Sequence, residues 1–279
     1  MIRDRNLRIG IFDSGLGGLT VFKSLSSAFR NQATFFYVGD LAHLPYGEKS
    51  KDAIIKYSNQ IVEFFINKKV DIIIVACNSA SSVALDYLQN FFSTPIIGTI
   101  IPSVQEIIGN KSTKSVGIIG TDTTINSQAY NEAFLNYNLK IQPKLKINSI
   151  ACPLFVPIVE EGWENTDIAH QIATKYLSNF SKFDIDTIIL ACTHYPMLLD
   201  ILKSVFNKLG YQDLTFIESG NAIANYLHGE KVLQIEPQNN FNLIQSSDEF
   251  YVTDTPYQFN ELANKFLGEE INNIQLISL

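Results

Sequence analysis

The sequence is short of cysteine, short of basic residues and without any long apolar run. Three cysteines (Cys77, Cys152, Cys192) in 279 residues are an odd number in a large chain and poor material for a disulfide framework. They read as free thiols in a reducing compartment, so a cytoplasmic protein is expected. Lys and Arg total 21 against 28 Asp and Glu, a formal net charge of −7. The basic residues are scattered, with no run longer than Lys68-Lys69. A nucleic-acid partner needs a dense basic surface, so none is expected. No stretch reaches the roughly 18 apolar residues of a membrane span, and residues 1–8 mix charged and apolar side chains without the apolar core of a signal peptide. No membrane partner is expected either. Nine Pro and fifteen Gly exclude a collagen-like or linker protein.

What is present is core-forming material. Hydrophobic residues make up 46% and charged residues 18%, which excludes a solvated, disordered chain. The length exceeds the point at which single cores stop growing, so one large or two modest domains are expected. Apolar, β-rich runs over 8–13, 34–39, 71–77, 95–99, 115–120, 186–192 and 214–218 read as strands. Amphipathic stretches separate them, clearest over 53–67, where Ile54, Ile61, Val62 and Phe65 share one helical face. The strands are apolar on both faces, as in a parallel sheet covered by helices on each side. The fold class is α/β, with two pseudo-symmetric doubly wound parallel-sheet units and the site between them. A late strand over 250–253 and a helix over 256–268 close the chain, after an Asn-, Gln- and Ser-rich irregular segment over 234–247.

The pseudo-symmetry rests on an internal repeat. Residues 71–77 and 186–192 share five of seven residues at an offset of 115. Residues 8–14 resemble 115–121, and 95–99 resemble 216–220, in the same order. Buried parallel strands look alike in general; the feature beyond that is a cysteine ending both copies at one position. Residues 1–97 with 212–279 are expected to form the first domain, and 98–211 the second.

Ligands of parallel sheets gather beyond the carboxyl ends of the strands. The residues there are Asp13-Ser14-Gly15-Leu16-Gly17-Gly18, Gly39-Asp40, Cys77-Asn78-Ser79, Gly120 to Thr124 and Cys192-Thr193-His194. The glycine-rich turn would let backbone N–H groups approach an anion, or is simply a tight turn into a helix; it has neither the dinucleotide nor the Walker spacing. Each of Cys77 and Cys192 precedes a polar residue at an expected helix start, where the helix end would lower a thiol's pKa. A lone buried cysteine is usually a small hydrophobe, which suits Cys152; a matched pair in duplicated positions is chemistry. No close pair of Cys or His flanks Cys77 as a zinc site would require. No Cys-x-x-Cys supports disulfide exchange, and no lysine stands at a strand end for pyridoxal phosphate. A reaction without metal or cofactor is expected. Two thiols flanking a carbon acid can invert it, one removing a proton while the other delivers one to the opposite face.

These motifs resemble a known family. Ile11 to Gly18, Pro45-Tyr46-Gly47, Val75 to Ala80, Cys152 to Pro157 with Glu160-Glu161-Gly162, and Ala191 to Pro196 are similar, in this order, to the aspartate/glutamate racemase family, specifically its glutamate racemases. The resemblance implies cofactor-independent interconversion of L- and D-glutamate, supplying D-glutamate for peptidoglycan. It implies that Cys77 is the base toward D-glutamate and Cys192 the base toward L-glutamate, with Asp13 and His194 as their polar partners. Ser14, Tyr46, Gly47, Asn78, Ser79, Thr121, Thr124 and Thr193, with Asp13 and His194, match positions that hold the substrate. One of Glu160 and Glu161 corresponds to a further acidic residue at the cleft, and His43 reads as a loop residue rather than a ligand. Ser79 stands where many relatives have Thr, and Ala191 where Gly is common. The partner implied is a small-molecule substrate. Relatives often form dimers, which leaves a homodimer open for this chain. Two rivals remain: racemisation of aspartate or another acidic amino acid, and a catalytically inactive amino-acid-binding regulator.

Overall fold

Strands form where β-branched and aromatic residues cluster, and their ends are set by Gly, Asp, Asn and Ser. The computed structural model describes residues 6–110, 112–138, 144–230, 232, 247–255, 259–271 and 273–279. Ten strands occur among them: β1 (Leu7–Asp13), β2 (Ala33–Gly39), β3 (Ile72–Val75), β4 (Ile96–Gly98), β5 (Ser115–Gly120), β6 (Lys146–Ala151), β7 (Thr187–Ala191), β8 (Thr215–Glu218), β9 (Glu249–Val252) and β10 (Ile274–Leu276). They form two sheets, ordered β10-β9-β2-β1-β3-β4 and β6-β5-β7-β8. Every strand pair is parallel.

The strand order makes the repeat physical. Four strands run β2-β1-β3-β4 in one sheet and β6-β5-β7-β8 in the other, so the similar segments occupy equivalent places. Strands β3, β5 and β7 are buried throughout, as sheets covered on both faces require. The helix Lys51–Asn67 starts two residues before the expected 53 because Ser50 caps it, accepting from the Ala53 N–H at 3.3 Å. Its buried stripe is Ile54, Ser58, Ile61, Val62 and Phe65.

Three features differ from expectation. Strand β6 was not anticipated, because Asn148 and Ser149 interrupt its apolar character and it is a half-exposed edge. Strand β10 is a three-residue edge strand of the same kind. Strand β8 pairs with β7, Thr187 opposite Thr215, so the change of sheet falls after Glu218 and not at 212; β8 is the counterpart of β4 and covers the free edge of β7. The chain then crosses back through helix Ser219–Gly229, where Gly220 lies so close to Ser24 that a Cβ would stand 2.6 Å from its Oγ. It rejoins the first sheet at β9 beside β2. The expected irregular segment over 234–247 lies outside the described residues except for its last position. The last helix is Phe259–Leu267, and positions 256–258 of its expected span are likewise outside them. Among the described residues no helix is long and apolar enough to cross a membrane.

Candidate active site

Residues just beyond β1, β3, β5 and β7 converge from both sheets on one cavity of about 160 Å³. Its lining includes Ser14, Tyr46, Gly47, Cys77, Asn78, Ser79, Thr121, Cys192, Thr193 and His194. The two cysteines, which end equivalent strands of different sheets, therefore face the same space. Among the described residues no lysine or arginine lines it.

Cys77 follows β3 and caps helix Asn78–Val83. Its Sγ accepts from the Ala80 N–H at 3.5 Å and approaches Ser14 Oγ at 3.8 Å. The expected lowering of its pKa by the helix start is present but loses. Burial disfavours the thiolate, the Asp13 charge adds to it, and the thiol is pushed up to about 12.

Cys192 departs from expectation in another way. Two turn residues separate it from a short 3-10 helix, Tyr195–Leu198, so it does not sit at a helix start. Its partner is His194, whose Nδ1 lies 3.9 Å from the sulfur. The opposite ring nitrogen, Nε2, lies 2.9 Å from Glu160 Oε1. Burial opposes a charge on this ring, yet the hydrogen bonds and charges of Cys192 and Glu160 outweigh it, and the imidazole is pushed up to about 10. As an imidazolium it donates from both nitrogens, to sulfur and to carboxylate. Glu160 is thus the acidic residue engaged behind the site, although Glu161 also reaches the lining.

Asp13 is fully buried but does not line the cavity. Its Oδ2 accepts from the Gly15 N–H at 3.0 Å and its Oδ1 from Thr193 Oγ1 at 3.3 Å. Its link to Cys77, whose polar partner it is expected to be, runs through charge: burial pushes the Asp13 carboxyl up, opposed by His194, and Asp13 raises Cys77 in turn. Thr124 likewise stands behind the lining; its Oγ1 is 3.0 Å from that of Thr121, which is 2.9 Å from Ser79 Oγ across the two sheets. Asn78 is held on three sides. Its Oδ1 accepts from Thr99 Oγ1 and Tyr130 OH, each at 2.8 Å, and its Nδ2 donates to Ser219 Oγ at 3.2 Å. These bonds use one of its two amide hydrogens, and Asn78 itself lines the cavity.

The glycine-rich turn gives its Gly15 and Gly18 N–H groups to the Asp13 carboxylate and packs against the turn after β7. A Cβ on Gly17 would lie 2.5 Å from His194 Nδ1 and 2.5 Å from Thr193 Oγ1, and one on Gly18 would lie 2.5 Å from the Asp13 Cβ. Only Ser14 of this turn reaches the lining. Asp40, which the sequence places at a strand end without a role, is a hub: it accepts from Tyr46 OH at 2.6 Å, His43 Nδ1 at 2.9 Å and Thr253 Oγ1 at 2.8 Å. Its place at the end of β2 was the available signal. His43 stacks on Tyr57 and stays outside the lining. Cys152 is buried away from the cavity, its thiol pushed up by burial, while its neighbour Pro153 lines the wall. Among the described residues no group of three or more His, Cys, Asp or Glu could hold a metal ion.

The family model described as Asp/Glu/hydantoin racemase matches residues 9–227. The chain belongs to this family. A curated glutamate racemase from Geobacter metallireducens is 36% identical over 97% of this chain and 96% of its own length. Among solved structures, the glutamate racemase of Francisella tularensis in complex with D-glutamate is 34% identical, covers 98% of each chain and has a TM-score of 0.82. Glutamate racemase isoform RacE1 from Bacillus anthracis is 31% identical, covers 99% of each chain and has a TM-score of 0.85. The chain is accordingly a racemase-family enzyme with the family's two-sheet fold.

Proposed function

We propose that this racemase interconverts L- and D-glutamate without a cofactor, using Cys77 and Cys192 as opposed acid and base. The observation that carries the reading is the shared cavity, lined by one cysteine from each repeat. The two cysteines rest in different environments. The Cys77 thiol, pushed up to about 12, keeps its proton, whereas the His194 imidazolium 3.9 Å from Cys192 is the counter-ion a thiolate there needs. In that state Cys192 takes the Cα proton of L-glutamate, breaking the C–H bond and leaving its electron pair on a carbanion conjugated with the α-carboxylate. Cys77 then donates its proton to the opposite face, giving D-glutamate. Afterwards Cys192 is the thiol and Cys77 the thiolate, which is the form that runs the reaction backward.

The carbanion is the difficult species, and preorganised donors in a dry site lower its energy. Asn78, with its remaining amide hydrogen, and the Ser14 hydroxyl are the candidates, whereas Thr193 gives its hydroxyl hydrogen to Asp13 and Thr121 gives its own to Thr124. They also hold carboxylates without placing a lysine ammonium beside the thiolates. The relatives at 31–36% identity that are named glutamate racemases, one of them in complex with D-glutamate, support glutamate as substrate and supply of D-glutamate to peptidoglycan as the role in the cell. A cytoplasmic location and a homodimer belong to the same proposal.

The test is racemisation in deuterated water. Deuterium should enter Cα during turnover, and Cys77→Ala and Cys192→Ala should each lose racemisation by more than about a thousandfold, as removal of an essential acid or base does. Full activity in either variant refutes the two-base mechanism. Aspartate turned over faster than glutamate would move the substrate assignment, and glutamate binding without racemisation would make the chain a regulator.

A further inference from the structure

Helix Phe259–Leu267 lies beyond residue 227, where the family match ends, and gives no side chain to the cavity. Two adjacent residues of this helix nevertheless reach the groups behind Cys192. Lys265 Nζ donates to the Val159 carbonyl at 2.7 Å and to Glu164 Oε2 at 2.7 Å. Phe266 meets the His194 imidazole with ring centroids 5.1 Å apart and planes at 81°, and it is 2% exposed.

Both contacts fall where the site has little support of its own. Helix Phe155–Glu160 has six residues, too few to be stable through its own hydrogen bonds, and its last residue is the one paired with His194. Val159 precedes it, so Lys265 grips a carbonyl in the final turn, where a cation is favoured by the helix dipole. A mere surface ion pair with Glu164 would leave the bond to that carbonyl unexplained. On the other side, Phe266 closes off the imidazole and fixes its plane by an edge-to-face contact.

We propose that Lys265 and Phe266 are positioning residues that set, from one C-terminal helix, where Glu160 and His194 stand beside Cys192. This rests on reading the Cys192–His194 side as one of the two proton-transfer arms. The groups facing His194 are Glu160 and Cys192 through hydrogen bonds, Asp13 through charge, Thr193 beside it in the chain and the Phe266 ring. Loss of the Lys265 cation alone would make the imidazolium easier to keep. Loss of the hold on Glu160 and His194 acts in the opposite sense, returning the ring from near 10 toward the ordinary 6.5.

The experiment is an NMR titration of the imidazole Cε1–H signals of the full chain without substrate, with His194→Asn identifying the signal. Lys265→Met should lower the His194 midpoint by about one pH unit, a tenfold loss in proton binding, and Lys265→Arg should restore it. A midpoint that is unchanged or raised in Lys265→Met overturns the proposal. Should Lys265→Met fail to fold, Phe266→Leu takes its place: a lowered midpoint supports the proposal, and an unchanged or raised one overturns it. Racemisation by the unmodified chain is measured in parallel. Its absence would sink the proposed function, while the titration still decides the positioning role.

Discussion

Burial is the strongest influence on Asp13, Cys77 and His194, and the neighbours of each decide whether it prevails. At Cys77 the helix-end amide of Ala80 is outweighed by loss of water and by Asp13; at His194 a carboxylate and a sulfur reverse the balance. The second case has a consequence for stability. The His194 value is near 10 folded against 6.5 for the ordinary group, so the folded state binds this proton more tightly. The resulting stabilisation is complete below pH 6.5 and fades as the pH rises through 10. The melting temperature of the unmodified chain should therefore exceed that of His194→Asn most at pH 6, and the gap should narrow steadily up to pH 10. A gap that is constant over this range would remove the imidazolium from the account. At this scale the sequence named the right residues more readily than their partners. Asp13, Cys77 and His194 stand at strand ends and are visible as such. That Asp13 turns toward Thr193, and that Glu160 rather than Glu161 pairs with His194, depends on contacts between residues 180 and 34 positions apart, which no local pattern encodes.

Elements legible in the sequence are those whose apolar pattern is decided locally. The central strands β1, β3, β5 and β7 were found to within two residues because both faces are buried and the side chains had to be Ile, Val, Leu, Phe or Ala. The edge strands β6 and β10 escaped because an edge demands less apolar surface, and Lys146, Asn148 and Ser149 meet that lower demand. The turn after β1 illustrates a different limit: its glycines announce a close approach of backbone to something, without saying to what. The partner is the turn after β7. Gly17→Ala would drive a Cβ to 2.5 Å from both His194 Nδ1 and Thr193 Oγ1, and neither can retreat freely, since His194 is tied to Glu160 and Thr193 to Asp13. We expect a folded protein destabilised by about 1–3 kcal/mol, the usual range for overpacking. The loss in kcat should be far larger, about a hundredfold, because displacing a proton-transfer group by about 1 Å is that costly. Circular dichroism and racemisation rates measured on one preparation would show it; unimpaired kcat would mean that the contact between these turns does not matter to the site.

At the scale of the whole molecule, the repeat was visible as an order of strands, and the sheets share that order. What the repeat left undetermined was how firmly the two halves are joined. One cluster of buried residues runs from Leu7, Ile9 and Ile11 of β1 through to Ile188 and Leu190 of β7. Across the same boundary, Asn78 bonds to Ser219, Ser79 to Thr121 and Asp13 to Thr193. Each sheet also keeps a buried cluster of its own, but the largest cluster is shared by both, so the halves should unfold together. Glutamate seated between them should stabilise that single transition, by about 2.7 kcal/mol when present at a hundred times its Kd. Differential scanning calorimetry with and without glutamate distinguishes the cases. One transition, moved upward by ligand, is expected. Two transitions of which glutamate moves only one would mean that the substrate sits within a single half, and the opposed cysteines could then not share it.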